Sequence, residues 1–365
     1  MNNVVNSKRV FYVAPHRPIG FVEIIGKRDD IRLDMLEHDS PAEVAAPVLS
    51  AAHAYQTSST RQELARHYHT SAEFLKTTPS LLLVSTNGAG YDTVDLKACT
   101  ERGILVVNQS GGNAESVAEH VVGMMLTLVK RVVECDRALR AGTLTNRAAY
   151  TGHEAFGKTI GIIGIGHVGR RLAELCGGLF RMQVLAYDPY VGAEEVRARG
   201  AQKVELDDLL RHADFVSINC PLTDETRKMI GAREYALMQP HAYFITTARG
   251  FIHDEAALEQ ALRDNKLAGA GLDVWEQEPP PADHPLMRFD NVIVTAHTAG
   301  VTTEARIRMG RFAAEQVIDA LDGKPVPRVL NPQVWPDYAK RFERTFGFAP
   351  APPSGQPDRH AAEKY

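Results

Sequence analysis

Three charged or titratable residues follow three apolar, strand-like segments of this chain. Arg249 comes directly after AYFITTA, Glu278 lies shortly after GAGLDV, and His297 comes directly after NVIVTA. The carboxyl ends of parallel strands meet at one edge of an open sheet and border its ligand crevice. We therefore expect these three side chains to lie together. A proton donor, a carboxylate and a guanidinium in one place could perform acid–base chemistry on a small acid.

Reduction of a 2-keto acid would use one function from each of these residues. His297 would donate the proton that the carbonyl oxygen needs when a hydride reaches the carbonyl carbon. Glu278 would stabilise the imidazolium and orient the ring, and Arg249 would bind the substrate carboxylate and polarise the carbonyl. Each residue alone could be structural, since an arginine after a strand usually forms a surface ion pair. Their arrival at one edge of a nucleotide-binding sheet favours a catalytic site.

A candidate binding site for the hydride donor lies upstream, in GIIGIGHVGRRLAELC. This segment contains three glycines in the GxGxxG spacing: Gly164, Gly166 and Gly169. A strand-like run precedes them and a helical pattern follows, which is the context that a dinucleotide-binding turn requires. The amides around His167 and Val168 would face the cofactor diphosphate at the helix N-terminus. We interpret the His167 side chain as a loop residue and not as a catalyst.

Asp188 is the candidate ligand of the adenosine ribose. It ends the second strand-like run of this block, 19 residues after Gly169. A carboxylate at this position accepts hydrogen bonds from the ribose hydroxyls. No arginine follows before Arg197, so a 2′-phosphate would meet a carboxylate with no cation nearby. The pattern predicts NAD as the cofactor, in preference to NADP.

The surrounding sequence supplies the strands and helices that such a site needs. Residues 8–107 alternate strand-like runs with helical patterns, and a second alternating block begins at Lys158. This alternation predicts an α/β fold with two Rossmann-like doubly wound parallel-sheet domains and a cleft between them. We predict a substrate-binding domain from residues 1–108 and 299–330, and an NAD-binding Rossmann domain from residues 109–298. Residues 331–365 lack periodicity and are predicted to form an irregular tail.

One long helical pattern runs from about residue 115 to about residue 140. Its centre, VVGMMLTLV, is apolar nearly all the way round. A helix of this kind must be buried on most sides, either between domains or in a dimer interface. We predict a homodimer built on this helix. A final helix is expected over about Thr303 to Leu321.

The composition excludes several other classes of protein. Apolar residues make up 44% and charged residues 24% of the chain, and the net charge of −4 provides no basic field for nucleic acid or an anionic membrane. The longest apolar stretch, Val121 to Val129, is far short of the roughly 20 residues that span a bilayer. The N-terminus lacks an apolar signal core, and the cysteines form no CxxC pair: Cys99, Cys135, Cys176 and Cys220. We expect a cytoplasmic protein with reduced thiols and no metal site.

A series of motifs occurs in order over roughly residues 50–330. They are NGAGYDTVDL, GILVVN, VAEHVVGMML, GKTIGIIGIGHVGRRLA, YDP, CPLTDETRKMI, TTARGFIHDEAAL, GLDVWEQEP and NVIVTAHTAG. Together they resemble the D-isomer-specific 2-hydroxyacid dehydrogenases, a family that includes phosphoglycerate, glycerate and D-lactate dehydrogenases. The resemblance implies NAD-dependent conversion of a small 2-keto acid into its D-2-hydroxy acid.

The resemblance also assigns residues to roles. It makes Arg249, Glu278 and His297 the catalytic trio, and it places the backbone amides of Ala89 and Gly90 at the substrate carboxylate. Residues after three strands would line the cofactor: Cys220, Pro221, Thr226, Thr247, Ala248 and Asp273. The pocket for the substrate side chain would be formed around His16, Arg17 and Ala89, with the neighbouring subunit.

The sequence departs from the family pattern at several positions. Ala296 stands where proline is usual before the histidine, and Thr246 stands where asparagine is common, so the geometry of both loops could differ. The segment QTSST lacks the paired arginines that a typical phosphoglycerate site would have. These arginines would hold a phosphate, so their absence argues against that substrate.

Two other interpretations stay open. The C-terminal-binding corepressors share this architecture and the trio, and would bind NADH tightly with little turnover. Related enzymes act on formate or phosphite. Formate enzymes of this group have glutamine in place of Glu278, whereas phosphite oxidation retains the trio.

Overall fold

The computed structural model describes residues 7–15 and 19–353, and the chain divides into two compact units. The first unit contains residues 1–113 and 303–365, and the second contains residues 114–302. The sequence places these changes of domain a few residues earlier, after 108 and after 298. His16 and Arg17, the candidate pocket residues, lie outside the described residues. Across residues 7–15 and 19–353, no helix is both long and apolar enough to cross a membrane.

The first unit is built on a five-stranded parallel sheet. Its strands are β1 (Lys8–Val13), β2 (Ile31–Leu36), β3 (Ala54–Thr57), β4 (Leu83–Thr86) and β5 (Leu105–Val107), in the order β2-β1-β3-β4-β5. Its helices are α1 (Phe21–Ile25), α2 (Ala42–Ala51), α3 (Ala72–Lys76) and α4 (Leu96–Glu101), joined late in the chain by α12 (Thr303–Leu321) and α13 (Trp335–Phe346). Helix α12 has the bounds that the sequence predicts.

The second unit is built on a seven-stranded parallel sheet. Its strands are β6 (Thr159–Ile163), β7 (Gln183–Tyr187), β8 (Gln202–Lys203), β9 (Phe215–Ile218), β10 (Tyr243–Thr246), β11 (Gly269–Leu272) and β12 (Val292–Val294), in the order β12-β11-β10-β9-β6-β7-β8. Its helices are α5 (Ala114–Val129), α6 (Val132–Arg140), α7 (His167–Phe180), α8 (Ala193–Ala198), α9 (Leu206–His212), α10 (Ala232–Leu237) and α11 (Glu255–Arg263). The predicted fold class is confirmed.

Both faces of the second sheet are covered by helices. Ile160 and Ile162 of β6 face a core shared with α5 and α7, whereas Ile163 faces a core shared with α9 and α11. Strands that are buried on both faces must be apolar at nearly every position. This burial explains why these strands read as continuous apolar runs in the sequence.

The predicted single helix over 115–140 is wrong, because two helices occupy this span. Helix α5 ends at Val129 and α6 begins at Val132, and between them Arg131 adopts a left-handed conformation with φ 55°. The amide of His153 donates to the carbonyl oxygen of Val129 at 2.8 Å and so satisfies the end of α5. The Arg131 guanidinium donates to Glu134, which fixes the turn.

Most of the apolar side chains of α5 are buried within the second unit itself, whereas Val122 and Leu126 are partly exposed. The helix packs against α7 and strands β10 and β11, and Gly271 of β11 leaves room for Met124. The predicted burial is therefore confirmed. This packing accounts for most of the apolar surface that led to the expectation of a dimer, and self-association stays a prediction.

The predicted irregular tail over residues 331–365 is wrong in its first half. The segment before it pairs with the edge strand β5, since Val329 bridges Val107 in antiparallel fashion. Asn331 is fully buried and continues this pairing with its side chain: Oδ1 accepts from the amide of Val106 at 2.8 Å, and Nδ2 donates to Ile104 at 2.9 Å. The segment thus covers an edge that would otherwise expose backbone groups.

Helix α13 then packs onto the first unit. Tyr338 and Phe342 are buried in the core that contains α12 and strands β1, β3, β4 and β5. A proline stands in the first turn of α13, and Gly347 ends it with φ 82°. Proline near the start and glycine just past the end are usual helix boundaries. Both residues are visible in the sequence, so this helix could have been predicted from them.

Candidate active site

The three sequence-predicted catalytic residues follow three neighbouring strands of the second unit. Strands β10, β11 and β12 are adjacent in the sheet and parallel, so the segments that follow them emerge at the same edge. Nδ1 of His297 lies 2.9 Å from Oε2 of Glu278, a hydrogen bond between the two segments. Arg249 lies on the loop after β10 and is partly buried. The sheet therefore brings the predicted acid and its carboxylate into direct contact.

His297 has an unusual backbone conformation. Its φ is 56°, in the left-handed region that few residues other than glycine adopt. Its amide donates to the backbone carbonyl of Asp273 at 2.7 Å. The next two amides, of Thr298 and Ala299, donate to the carboxylate of Asp273 at 2.7 and 2.9 Å. These bonds hold a conformation that the surroundings must stabilise.

Glu278 is held by hydrogen bonds at both carboxylate oxygens. Oε1 accepts from the amide of Trp275 at 3.1 Å, and Oε2 contacts the His297 ring. Burial by itself would raise the pKa of the Glu278 carboxyl. The hydrogen bond and charge of His297, the Trp275 amide and the charge of Arg249 outweigh it, so this pKa lies below its usual value. Glu278 is thus a carboxylate wherever imidazole titrates, which suits its predicted role.

The loop that carries Arg249 is packed tightly against the loop after β11. A Cβ atom at Gly250 would lie 2.0 Å from the backbone of Trp275, so only glycine fits there. Nη1 of Arg249 donates to the carbonyl of Ala248 at 2.7 Å, which orients the guanidinium. The close approach of the two loops fixes the backbone of Arg249 relative to the loop that carries Glu278.

The glycine-rich turn has the features of a diphosphate-binding site. Gly164 has φ 90°, and a Cβ atom at Gly169 would lie 2.1 Å from the carbonyl oxygen of Gly164, so helix α7 packs closely on β6. A Cβ atom at Gly166 would meet no atom within 4 Å, which leaves open space beside the turn. His167 and Val168 begin α7, whose N-terminal amides favour an anion. The residues present therefore fit a dinucleotide.

Asp188 lies against this turn. Its Oδ2 accepts from the amide of Ile165 at 3.1 Å, and its Oδ1 accepts from the amide of Tyr190 at 3.0 Å. Each carboxylate oxygen has a second lone pair that can accept a ribose hydroxyl.

Arg199, which the sequence did not indicate as part of this region, donates from Nη1 to the carbonyl of Ile165 at 2.5 Å. The expectation that no cation approaches this region is therefore wrong. Arg199 reaches the turn because its side chain is long and the end of α8 lies nearby. It also pairs with Glu195, which offsets its charge.

Hydrogen bonds of the Thr226 hydroxyl hold the loop after β9. Oγ1 of Thr226 donates to the carbonyl of Pro221 at 2.7 Å and accepts from the amide of Thr223 at the same distance. Burial raises the pKa of the Cys220 thiol to about 12, so this residue can line a cofactor but offers no thiolate nucleophile. Thr247 and Ala248 follow β10 directly. Cofactor contacts of these residues stay predictions.

The other predicted site residues have different surroundings. Asp273 is fully buried beneath the His297 loop, which the sequence did not indicate, and its contact with a cofactor stays a prediction. Ala89 and Gly90 lie in the first unit, after β4, where Nδ2 of Asn108 donates to the carbonyl of Ala89 at 2.8 Å. In the described parts of the chain, no group of three His, Cys, Asp or Glu side chains could hold a metal ion.

His253, four residues after Arg249, is a buried histidine that should make the protein sensitive to acid. Neither ring nitrogen has a hydrogen-bond partner among the described residues. Burial, together with the charge of Lys228, lowers the pKa of His253 to about 4. In the unfolded chain His253 gains a proton as the pH falls below about 6.5, whereas in the folded protein it stays neutral until about pH 4. This component of stability is therefore present at neutral pH and lost as the pH falls through that window.

We expect His253→Val to remove this loss. Between pH 7 and pH 4.5, the free energy of unfolding of the parent should fall by about 2–3 kcal/mol more than that of the variant. Urea unfolding at the two pH values measures the difference. His212→Ala, at an exposed histidine of α9, is the matched control and should behave as the parent does. An equal fall in parent and His253→Val would show that His253 is not the acid-sensitive group.

Comparisons with known proteins identify the family of this chain. Residues 122–299 match the family described as D-isomer specific 2-hydroxyacid dehydrogenase, NAD binding domain. The chain is 40% identical over 260 residues to a D-3-phosphoglycerate dehydrogenase of Archaeoglobus fulgidus, covering 71% of this chain and 49% of that protein. It thus spans about half the length of this relative.

A second relative is covered more fully. The chain is 40% identical over 267 residues to a glyoxylate reductase of Thermofilum pendens, covering 72% of this chain and 78% of that protein. In fold it is similar to the crystal structure of a D-lactate dehydrogenase from Aquifex aeolicus complexed with NAD and lactic acid. The TM-score is 0.73 at 30% identity, covering 86% of this chain and 96% of that one.

Proposed function

The chain belongs to the D-isomer-specific 2-hydroxyacid dehydrogenase family, and we propose that it uses NADH to reduce a small 2-keto acid to the D-2-hydroxy acid. The observation that carries this proposal is the 2.9 Å hydrogen bond between His297 and Glu278. It lies at the sheet edge where the segment carrying Arg249 also emerges. Glu278 supports the interpretation because its lowered pKa keeps it charged beside the imidazole.

His297 is the proton donor in the proposed reaction. When bound, the reduced nicotinamide supplies the hydride that reduces the carbonyl carbon. Nδ1 of His297 is bonded to Glu278, so Nε2 is the atom that holds the proton for the carbonyl oxygen. Glu278 keeps the ring oriented and stabilises its positive charge before the proton leaves. In the reverse direction the same nitrogen takes the hydroxyl proton.

Arg249 binds the acid and polarises its carbonyl. A guanidinium presents two parallel N–H groups that match a carboxylate, and its charge favours the negative charge that develops on the carbonyl oxygen. The backbone amides of Ala89 and Gly90 are proposed to hold the substrate carboxylate as well. The turn from Gly164 to Gly169 would hold the cofactor diphosphate, and Asp188 the ribose.

A panel of keto acids tests the proposed function. The relatives are named for glyoxylate and phosphoglycerate, so glyoxylate, hydroxypyruvate, pyruvate, phenylpyruvate and phosphohydroxypyruvate should be assayed by NADH oxidation. We expect turnover of at least one non-phosphorylated acid, because QTSST lacks the arginines that would hold a phosphate. Tight NADH binding without turnover of any acid would instead favour a scaffold function.

Cofactor discrimination should depend on Asp188. A 2′-phosphate brought against this carboxylate should cost about 3 kcal/mol, or roughly a hundredfold in kcat/KM in favour of NADH, because Glu195 offsets the charge of nearby Arg199. The measurement compares kcat/KM for NADH and NADPH with the same keto acid. In Asp188→Asn, which keeps the shape but removes the charge, the preference should shrink. Equal values for the two cofactors in the parent would contradict the assignment of Asp188.

A further inference from the structure

A second histidine, His120, lies beside the loop that carries His297, and the reaction proposed above does not use it. His120 belongs to α5, and its Nε2 lies 3.2 Å from Oγ1 of Thr295. We propose that His120 is a positioning residue for this loop. Through Thr295 it completes the hydrogen bonds of buried Asp273, which hold the backbone of His297. The inference rests on the proposed role of His297 as the acid.

Asp273 is the centre of this network. Its side chain is fully buried and accepts three hydrogen bonds, from the Thr295 hydroxyl at 2.6 Å and from the amides of Thr298 and Ala299 at 2.7 and 2.9 Å. These three donors stand on both sides of His297 in the chain. The position of the carboxylate therefore sets the path of the backbone that carries the imidazole.

The direction of each bond can be assigned from the number of protons. The Thr295 hydroxyl has one proton, and an ionised carboxylate can only accept, so the 2.6 Å bond uses that proton. At the 3.2 Å contact the Thr295 oxygen must therefore accept, and His120 must donate from Nε2. The donated bond polarises the hydroxyl toward Asp273 and strengthens its bond to the carboxylate.

His120 is also placed to compensate the buried charge. A buried carboxylate is costly unless nearby donors or cations stabilise it. Among residues 7–15 and 19–353, His120 is the basic side chain within 4.0 Å of Asp273, with Nε2 3.9 Å from Oδ1.

The loop has a second attachment to α5. Ser116, one turn before His120, contacts the hydroxyl of Thr302 at 2.6 Å. Helix α5 thus holds the segment from 295 to 302 at both ends. Loss of His120 should therefore loosen the His297 end of the loop without releasing it entirely. We expect an effect on catalysis that exceeds the effect on folding.

Kinetics of four variants test this proposal: His120→Ala, Thr295→Val, their combination, and Thr295→Ser. A small misplacement of a catalytic group costs up to about a hundredfold in rate, so we expect each of the first two to lower kcat by about five- to fiftyfold. The KM for the keto acid and the Kd for NADH should change by less than about threefold, because Arg249 and the glycine-rich turn from Gly164 to Gly169 are intact. Thr295→Ser retains the hydroxyl and should recover most of the loss.

The double variant distinguishes positioning from a general structural role. If His120 acts through Thr295, the double variant should be no slower than the slower single variant. Multiplying effects, or a normal kcat in His120→Ala, would overturn the proposal. If His120→Ala does not fold, His120→Gln takes its place. This variant retains a hydrogen-bond donor, so its loss of kcat should be smaller than that of Thr295→Val. Combining it with Thr295→Val should again give no slower an enzyme than Thr295→Val alone.

His297→Ala separates this proposal from the proposed function. If His297→Ala stays active, the proposed function itself is wrong. If it is inactive while His120→Ala has a normal kcat, only the positioning role fails. The exposed His212→Ala is the control for replacing a histidine, and it should leave kcat unchanged.

Discussion

His297→Ala is expected to lower kcat for keto-acid reduction by roughly 10²–10⁴, which is the usual contribution of a positioned proton donor. Without the imidazole, the carbonyl oxygen must take its proton from water. The KM for the acid should change less, because in the proposed reaction Arg249 binds the carboxylate independently of His297. Steady-state kinetics with NADH measure both values, and single-turnover rates show whether chemistry limits them.

The fold of His297→Ala should be preserved, because the loop is held by its backbone bonds to Asp273 and not by the ring. NADH binding, measured separately by titration, should therefore stay close to that of the parent. A variant that binds NADH normally and keeps a near-normal rate when chemistry is limiting would show that another group is the acid.

Arg249→Ala is expected to raise the KM for the keto acid and to lower kcat. In the proposed reaction the guanidinium binds the carboxylate in the ground state and also stabilises the charge that develops on the carbonyl oxygen. Removal of such a group costs about 2–5 kcal/mol. This corresponds to roughly thirtyfold to several thousandfold in kcat/KM.

Arg249→Lys tests whether the two parallel N–H groups of the guanidinium contribute to kcat/KM beyond its positive charge. A lysine keeps the positive charge but cannot form two parallel bonds, so it should recover only part of the loss. Arg263→Ala, at an exposed arginine of α11, is the matched control and should leave kcat/KM unchanged. A change confined to the Kd for NADH would contradict the assignment, because it would place Arg249 at the cofactor.

Much of the fold and the contact of His297 with Glu278 could be predicted because they follow from local patterns. Apolar runs buried on both faces predict parallel strands, and residues that follow such strands must emerge at one edge. The placement of His297 and Glu278 required only their order in the sequence. The glycines of the turn are similarly determined by backbone constraints that glycine alone relieves.

The features that escaped prediction depend on tertiary contacts. Arg131, between α5 and α6, adopts a left-handed conformation that no local signal requires, and its guanidinium contact with Glu134 forms only in the folded chain. Arg199 reaches the glycine-rich turn from the end of helix α8. The role of Asp273 beneath the His297 loop depends on amides that lie more than twenty residues away in the sequence. Periodicity and motif spacing carry no information on such contacts.

The pH dependence of reduction in the parent and in Glu278→Gln tests the central claim most directly. In the proposed reaction the protonated imidazole of His297 is the active form, so the rate of the parent should fall as the pH rises. The lowered pKa of Glu278 keeps that carboxylate charged throughout, so the fall reports on the imidazole. Glutamine removes the negative charge that favours the protonated acid, so the fall should begin at lower pH in Glu278→Gln. Superimposable profiles for the two enzymes would contradict the account of His297 and Glu278 as a coupled acid.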